Sequence, residues 1–280
     1  MSAALSSLDR LAMERSMSIA SQHGARLLFL HVISEHVPAN LRERVAHAAR
    51  QEIEAVIATA CVVDRQSIDI QIEIGQSAEK IISTADQINA DLIVFGMHQD
   101  AGIEDDNSET NFEKVVRFGH QPVLVVTDQE SDRYDKVMIG ADFSVYSRRA
   151  LQATLSFVPG ADLDIVHAFQ VPFSAFMPGS ETRDAFQEQH EADLREMVDR
   201  EMELLVSSAA HYGCHLEAPR RIVKQGEPVA VLRDEVSNLR PDLLVLGTHG
   251  RVGLSHMLIG SVAEAILNQP PCDVLVVKAW

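Results

Sequence analysis

The chain has 280 residues, 46% of them hydrophobic and 23% charged, which is typical of a folded globular protein and, at roughly 150 residues per domain, of about two domains. Its net charge is −17, from 24 basic and 41 acidic side chains, and acids outnumber bases in both halves. This balance argues against global disorder, against a nucleic-acid-binding protein, which presents a basic face to phosphates, and against attachment to anionic membranes.

The cysteine content and the hydropathy pattern indicate where the protein works. The three cysteines, Cys61, Cys214 and Cys272, are too few and too scattered for a disulfide framework. No apolar run approaches the ~18 residues that a membrane helix needs, and the start of the chain lacks the basic and apolar regions of a signal peptide. We therefore predict a soluble cytoplasmic protein.

Short apolar runs alternate with helical patterns along the first half of the chain. Apolar or alternating runs, typical of strands, occupy 26–32, 69–75, 91–96 and 122–126. Helical spacing of apolar residues is found in 41–60 and 77–88. Alternation of strands and helices predicts βαβ units and a mostly parallel, doubly wound (Rossmann-like) sheet covered on both faces.

The second half repeats the first. DLIVFG at 91–96 matches DLLVLG at 242–247, and VLVV at 123–126 matches 274–277, both at a shift of 151 residues. HGARLLFLHV from residue 23 matches PGADLDIVHAF from residue 159 at a shift of 136, so the second copy holds about 15 extra residues. We predict two tandem α/β domains, 1–129 and 134–280, each with a five-stranded sheet.

The two copies differ at their start. The second opens with the strand KVMIGAD, 136–142, before its first helical pattern. When Ser6 is aligned with Ser144, Ala4 falls opposite Asp142, so the first domain lacks most of its first strand. The strand is either absent from the protein or truncated in this sequence.

A glycine pattern in the second copy has the chemistry of a phosphate-binding loop. The strand 242–247 leads into G-x2-G-x9-G-S, from Gly247 to Ser261, and the helical pattern VAEAILNQ follows. Glycines let the backbone approach a ligand closely, and the free N–H groups of a helix start favour anions. Ser261 offers a hydroxyl donor, and His249 and Arg251 offer charge-assisted hydrogen bonds to phosphate.

This spacing, the repeat and the strand order resemble the universal stress protein family in its tandem two-domain form. The resemblance covers essentially the whole chain apart from the insertion. It implies that the glycine pattern contacts the phosphates and ribose of ATP, ADP or AMP, that Asp142 lies near the adenine and ribose, and that Ala168 flanks the base. The predicted nucleotide-binding residues are Ala141, Asp142, Ala168, Gly247, His249, Gly250, Arg251, Gly260, Ser261 and Val262.

The first copy departs from this pattern. At the 151 shift, Gly250 becomes Gln99, Gly260 becomes Glu109 and Ser261 becomes Thr110. Glu109 would place a carboxylate where a phosphate should rest, and like charges about 4 Å apart repel by ~1 kcal/mol in water. We predict a structural first domain with a solvated acidic loop, rather than a cation site, at 99–111.

Three functions remain open at this stage. The first is a stress-response regulatory protein that binds an adenine nucleotide, with Asp142 contacting the ribose or a nucleotide-bound Mg²⁺. The second is slow ATP hydrolysis or nucleotide transfer at the same site, for which no general base, catalytic triad or GK[ST] motif is evident. The third is a scaffold that binds another ligand through the Phe-rich insertion near 170–190.

Several smaller features have structural interpretations. His31 and His167 occupy the same position in the two copies, so we assign a structural role to both. His249, which matches His98 of the first copy, either contacts phosphate or has a structural role. The cluster from His211 to His215 lacks the four ligands of a zinc site. By the resemblance, the runs 123–126 and 274–277 pair within the chain as a pseudo-dimer, and a homodimer is a further option.

Overall fold

A computed structural model describes residues 7–60, 67–97, 110–127, 133–169, 219–248 and 259–278, with scattered helical residues between 189 and 204. Contacts divide the chain into two compact units. The first unit holds residues 1–133, 255–259 and 272–276, and the second holds 134–254, 260–271 and 277–280.

The first repeat alternates helices and strands as its sequence predicts. Its elements are α1 (Ser7–His23), β1 (Leu27–Ile33), α2 (Ala39–Thr59), β2 (Ile68–Ile74), α3 (Ser77–Ile88), β3 (Ile93–Gly96), α4 (Asn111–Phe118) and β4 (Val123–Val126).

The second repeat has the same order with one strand added at its start. Its elements are β5 (Lys136–Gly140), α5 (Val145–Phe157), β6 (Asp162–Phe169), β7 (Arg220–Gln225), α6 (Pro228–Leu239), β8 (Leu243–Gly247), α7 (Ser261–Asn268) and β9 (Asp273–Val277). Helices α1 and α5 begin 138 residues apart, the same offset as between Ser6 and Ser144.

In the second unit, β5 lies at the centre of a parallel sheet of order β8-β5-β6-β7. Its residues Val137, Met138 and Ile139 are at most 1% exposed, although alternate residues of a strand face opposite sides of the sheet. Both faces are therefore covered, which explains the continuous apolar run. The predicted α/β class with mostly parallel, doubly wound sheets is confirmed.

The sheet of the first unit is split. Strands β1 and β2 form a parallel pair of their own, and β3 pairs in parallel with β4. Within the part of the chain that the structure describes, no strand joins β1 to β3, whereas β5 joins their counterparts β6 and β8. Residues 1–6, which precede α1 in the sequence, lie outside the described part of the chain.

Strand β9 of the second repeat is part of the first unit, where residues Val274–Val276 pair antiparallel with β4. Leu124 lies opposite Leu275, which is its own counterpart at the 151 shift, so a local two-fold axis passes between them. All four residues of β4 are buried. The predicted pairing of the two VLVV runs is confirmed at the level of the strands.

A buried ion pair ties α1 to β9 within the first unit. A guanidinium nitrogen of Arg15 lies 3.2 Å from Oδ2 of Asp273, and the two side chains are 7% and 0% exposed. The other oxygen, Oδ1, accepts hydrogen bonds from the backbone N–H of Thr127 at 2.8 Å and from its hydroxyl at 2.9 Å. Asp273 therefore fixes the end of β4 as well as α1.

None of the helices in the described part of the chain is long and apolar enough to cross a membrane.

Candidate nucleotide site

The second unit brings the ends of three parallel strands together at one edge of its sheet. Gly140 of β5 is in register with Val166 of β6 and Leu246 of β8. Two residues further along, Asp142, Ala168 and Thr248 are therefore level with one another. Ligands of doubly wound sheets bind at this carboxyl edge, and Asp142 and Ala168 both lie there.

Asp142 is held by the first turn of α5. Its Oδ1 accepts hydrogen bonds from Ser144 N at 2.9 Å and from the Ser147 hydroxyl at 2.8 Å. Ser144 is the N-cap of α5, so the carboxylate also lies near the positive end of the helix dipole. The half-buried Asp142 is thereby fixed in orientation, as a group that recognises a ligand must be.

Ala141 is fixed by its backbone. Its N–H donates to Val166 O at 2.9 Å, and its carbonyl lies 2.7 Å from Nδ1 of His167. The ring of His167 is 8% exposed and its centre lies 4.6 Å from that of Phe143. These contacts support the structural role predicted for His167, and they leave the main-chain polar groups of Ala141 engaged within the fold.

Gly247 is required by packing. A Cβ atom at this position would lie 2.7 Å from Cβ of Tyr146 and 2.9 Å from its carbonyl carbon. Real Cβ atoms do not approach so closely, so α5 passes β8 only because Gly247 has no side chain. Gly247 therefore has a role in packing in addition to the close approach of a ligand that its place in the glycine pattern predicts.

The helix that follows the glycine loop begins beside the end of β8. Gly260 is the N-cap of α7, and its N–H donates to Thr248 O at 2.6 Å. Gly260 offers no side-chain cap, whereas Ser261, the first residue of α7, is exposed and Val262 is half-buried. A helix start without a side-chain cap is favourable for an anion because its first N–H groups have no intrahelical acceptor.

At the corresponding helix start of the first repeat, side chains form a capping box. Thr110, the counterpart of Ser261, is the N-cap of α4 and accepts a hydrogen bond from Glu113 N at 3.4 Å. The Glu113 carboxylate in turn accepts from Thr110 N at 2.7 Å and from its hydroxyl at 2.8 Å. This capping box satisfies donors that an anion would otherwise use, whereas α7, which has Glu264 at the position of Glu113, has no side-chain cap.

Sequence reasoning missed this box, although the signal was present. The spacing T-x-x-E before an apolar helix is the motif of a capping box. The same spacing occurs in the second repeat as Ser261-x-x-Glu264, where no side-chain cap forms, so the motif alone does not distinguish the two helix starts.

Sequence reasoning also missed Lys278. The Thr248 N–H donates to Val277 O at 3.0 Å, which puts the following residue, Lys278, at the carboxyl edge of the sheet. Burial lowers the pKa of Lys278 to about 8. The sequence marks this lysine only by its place directly after the VLVV run.

Some of the predicted residues lie outside the described part of the chain. They are His249, Gly250 and Arg251 of the glycine loop, His98 and Glu109 of the first repeat, the Phe-rich insertion, and His211 to His215. Among the residues that are described, no group of three His, Cys, Asp or Glu side chains is placed to hold a metal ion.

Comparison with known proteins gives consistent results. The sequence profile of the universal stress protein family matches residues 3–127 and again 133–278. A universal stress protein of Mycolicibacterium smegmatis is 24% identical over 276 residues, which span 92% of this chain and 89% of that protein. One of Methanocaldococcus jannaschii is 26% identical over 147 residues, 52% of this chain and 82% of the relative.

Solved structures show the same fold. A protein of unknown function from Pseudomonas aeruginosa superposes with a TM-score of 0.63 at 20% identity, covering 98% of this chain and 90% of the other. A universal stress protein from Archaeoglobus fulgidus gives a TM-score of 0.62 at 19% identity, with 98% and 95% covered.

Proposed function

Because the chain belongs to the universal stress protein family, as the two matches along its length show, we propose that it is a stress-response regulatory protein whose second repeat binds ATP, ADP or AMP. The first repeat is a structural copy without a nucleotide. A cytoplasmic location is part of this proposal and is supported by the low cysteine content.

The observation that carries the proposal is the difference between two equivalent helix starts. Both helices carry a glutamate in the first turn, Glu113 in α4 and its counterpart Glu264 in α7, but in the first repeat this glutamate closes a capping box with Thr110. In the second repeat, α7 starts at Gly260 without a side-chain cap. A phosphate group supplies the acceptors that such a helix start lacks, and the helix dipole favours its negative charge.

The surrounding groups fit the remainder of an adenine nucleotide. The exposed Ser261 offers a hydroxyl beside the same helix start, and Arg251 and His249 belong to the loop that precedes it. Asp142, oriented by Ser144 and Ser147, suits a ribose hydroxyl or a Mg²⁺ ion held by the phosphates. Ala168, level with Asp142 on the neighbouring strand, has a small side chain, as a residue that flanks the base requires.

The proposal is tested by isothermal titration of the full chain with ATP. In the variant Gly260→Glu, a carboxylate replaces the open cap, and we expect affinity to fall about tenfold or more, which corresponds to ~1.4 kcal/mol. Glutamate suits the backbone there because φ is −63°.

Gly260→Ala is the matched control, since it adds a side chain without charge and should retain most of the affinity. Absence of ATP binding by the unaltered protein would refute the proposal. So would equal affinities of the unaltered protein and Gly260→Glu.

A further inference from the structure

Phe143 has a backbone conformation that a large side chain seldom adopts. Its φ angle is +61°, in the left-handed region that favours glycine. Within the described part of the chain, two other non-glycine residues have a positive φ, Asn89 and Arg240, and both end a helix, where a left-handed residue is common. Phe143 ends no helix, because it lies between β5 and Ser144, the N-cap of α5. Its strain therefore needs a different explanation.

The left-handed turn at Phe143 determines what Asp142 contacts. After this turn, the backbone N–H of Ser144 points back toward Asp142 and donates to its Oδ1 at 2.9 Å. The Ser147 hydroxyl donates to the same oxygen at 2.8 Å. Because Phe143 separates Asp142 from Ser144, its φ angle sets the position of the Ser144 N–H relative to the carboxylate. The conformation of Phe143 is thus part of the geometry of the candidate site.

The side chain of His167 holds the residues on both sides of Asp142. Before Asp142, the carbonyl of Ala141 lies 2.7 Å from Nδ1 of His167, and a carbonyl only accepts, so Nδ1 donates. After Asp142, the ring of Phe143 lies 4.6 Å from that of His167, centre to centre, with a tilt of 41°. This geometry is typical of favourable ring pairs. His167 is itself buried in β6, so the anchor is rigid.

We propose that Phe143 is a positioning residue of the nucleotide site. Its ring, held against His167, stabilises the left-handed turn, and the turn fixes the Asp142 carboxylate in the orientation that a ligand meets. The inference rests on the proposed nucleotide binding, and it assigns Phe143 no contact with the ligand. A glycine would adopt this turn freely but offers no ring to His167, whereas another residue without a ring has no compensation for the strain.

The two repeats are consistent with this coupling between Phe143 and Asp142. At the offset that aligns Ser6 with Ser144, Ala4 stands in place of Asp142 and Leu5 in place of Phe143. The sequence of the first repeat therefore has neither the carboxylate nor the ring that would position it.

A series of substitutions at Phe143 tests the proposal, with ATP affinity of the full chain measured by isothermal titration. Phe143→Tyr keeps the ring and should bind ATP as the unaltered chain does. Phe143→Ala removes the ring and keeps a Cβ that disfavours positive φ, so the turn is lost and affinity should fall about tenfold. Phe143→Gly also lacks the ring but adopts the turn without strain, and its affinity should stay within about threefold of the unaltered value.

A ring that contacted the nucleotide directly would give a different order. Phe143→Gly and Phe143→Ala would then lose affinity equally, since both remove the ring, and this result would overturn the proposal. Phe118→Ala is the matched control, because Phe118 is a partly exposed phenylalanine of the first unit. It should leave ATP affinity unchanged. Circular dichroism establishes that each variant is folded.

A double-mutant cycle tests whether Phe143 acts through Asp142. In a chain that already carries Asp142→Ala, the further change Phe143→Ala should lower ATP affinity by less than about twofold, because the group that it positions is gone. Losses that simply multiply would show that Phe143 acts on the site independently of Asp142, and would overturn the proposal while leaving nucleotide binding intact.

Amide hydrogen exchange measures the turn without a nucleotide. The N–H of Ser144, which donates to Asp142, should exchange faster in Phe143→Ala and at nearly the original rate in Phe143→Tyr and Phe143→Gly. Unchanged exchange in Phe143→Ala would contradict a positioning role. Absence of ATP binding by the unaltered chain would overturn this inference and the proposed function together, whereas the other adverse results overturn this inference alone.

Discussion

The charged residues Arg15 and Asp273 of the first unit are buried, and their removal from water costs free energy. Asp273 is fully buried, and its two oxygens serve Arg15 and Thr127. Taking two charges out of water is costly, and the cost is recovered only where both find close partners. The ion pair therefore adds little net stability, whereas correct packing depends on both charges being present.

Removal of one partner should be strongly destabilising. Asp273→Ala leaves the guanidinium of Arg15 buried without its carboxylate, and we expect a loss of about 3–5 kcal/mol in the free energy of unfolding. Urea denaturation followed by circular dichroism measures it. Glu196→Ala is the control, because its ion pair with Arg200 is exposed and should contribute less than about 1 kcal/mol. Equal effects of the two substitutions would contradict this prediction.

His31 gives the first repeat a dependence on pH. Burial lowers the pKa of His31 below its ordinary value of 6.5, and Asp9 and Glu52 oppose the shift without cancelling it. The unfolded chain therefore takes up the proton more readily than the folded one. The stability associated with neutral His31 is present above pH 6.5 and is lost as the pH falls through and below that value.

We therefore expect the free energy of unfolding to decrease between pH 7 and pH 5, and His31→Gln to remove part of that slope. Urea denaturation at several pH values measures it. His47→Gln, at an exposed position of α2, is the matched control. A slope unchanged by His31→Gln would show that protonation of this ring is not linked to folding.

At the scale of the element, the starts of α4 and α7 show how a few residues decide whether the first N–H groups of a helix are bonded within the chain. Helix α4 satisfies its own first turn through Thr110 and Glu113, whereas α7 starts at Gly260. The first arrangement favours stability and the second favours binding, because a donor that is already satisfied has nothing to offer a ligand.

Loss of the cap of α4 should measurably lower the free energy of unfolding. Thr110→Ala and Glu113→Ala each remove one arm of the capping box, and we expect each to cost about 1 kcal/mol of stability. The double substitution should cost less than the sum, since the two side chains bond to each other. Thermal or urea unfolding measures these losses. Strictly additive losses would indicate that the arms act independently.

The sequence predicts the elements well where the signal is local. Helix α3 is predicted at 77–88 and found at Ser77–Ile88, and β2 is predicted at 69–75 and found at Ile68–Ile74. Apolar periodicity carries this information because each element must bury one face or both. The position of Asp142 directly after a buried strand likewise predicts that it lies at the carboxyl edge of the sheet, because the ends of parallel strands lie together.

The sequence does not reveal which side chains contact each other when they are far apart in the chain. Arg15 and Asp273 are 258 residues apart, and neither belongs to the repeat pattern, so no periodicity links them. The packing role of Gly247 depends on the approach of Tyr146, which only the assembled sheet defines. These contacts arise from tertiary packing, which the pattern of residue types along the sequence does not identify.

At the scale of the whole molecule, duplication has produced two repeats whose described structures differ. The second has a complete central strand and an open helix start, and the first has neither among its described residues. The two copies nevertheless keep the same order of elements from α1 and α5 onward. A duplicated domain can lose its ligand site and still be retained for its surfaces, which fits the division of labour proposed here.

The place of β9 in the first unit has a practical consequence for anyone who wishes to divide this protein. A cut in the linker near residue 130 follows the boundary of the repeats, yet it removes β9 from β4, and with it the carboxylate of Asp273 from Arg15. The amino-terminal fragment would expose the edge of a fully apolar strand, a feature that promotes aggregation. The boundary between the two repeats therefore differs from the boundary between the two compact units, and we expect a fragment that ends at the repeat boundary to be poorly suited to expression or to transfer into another protein.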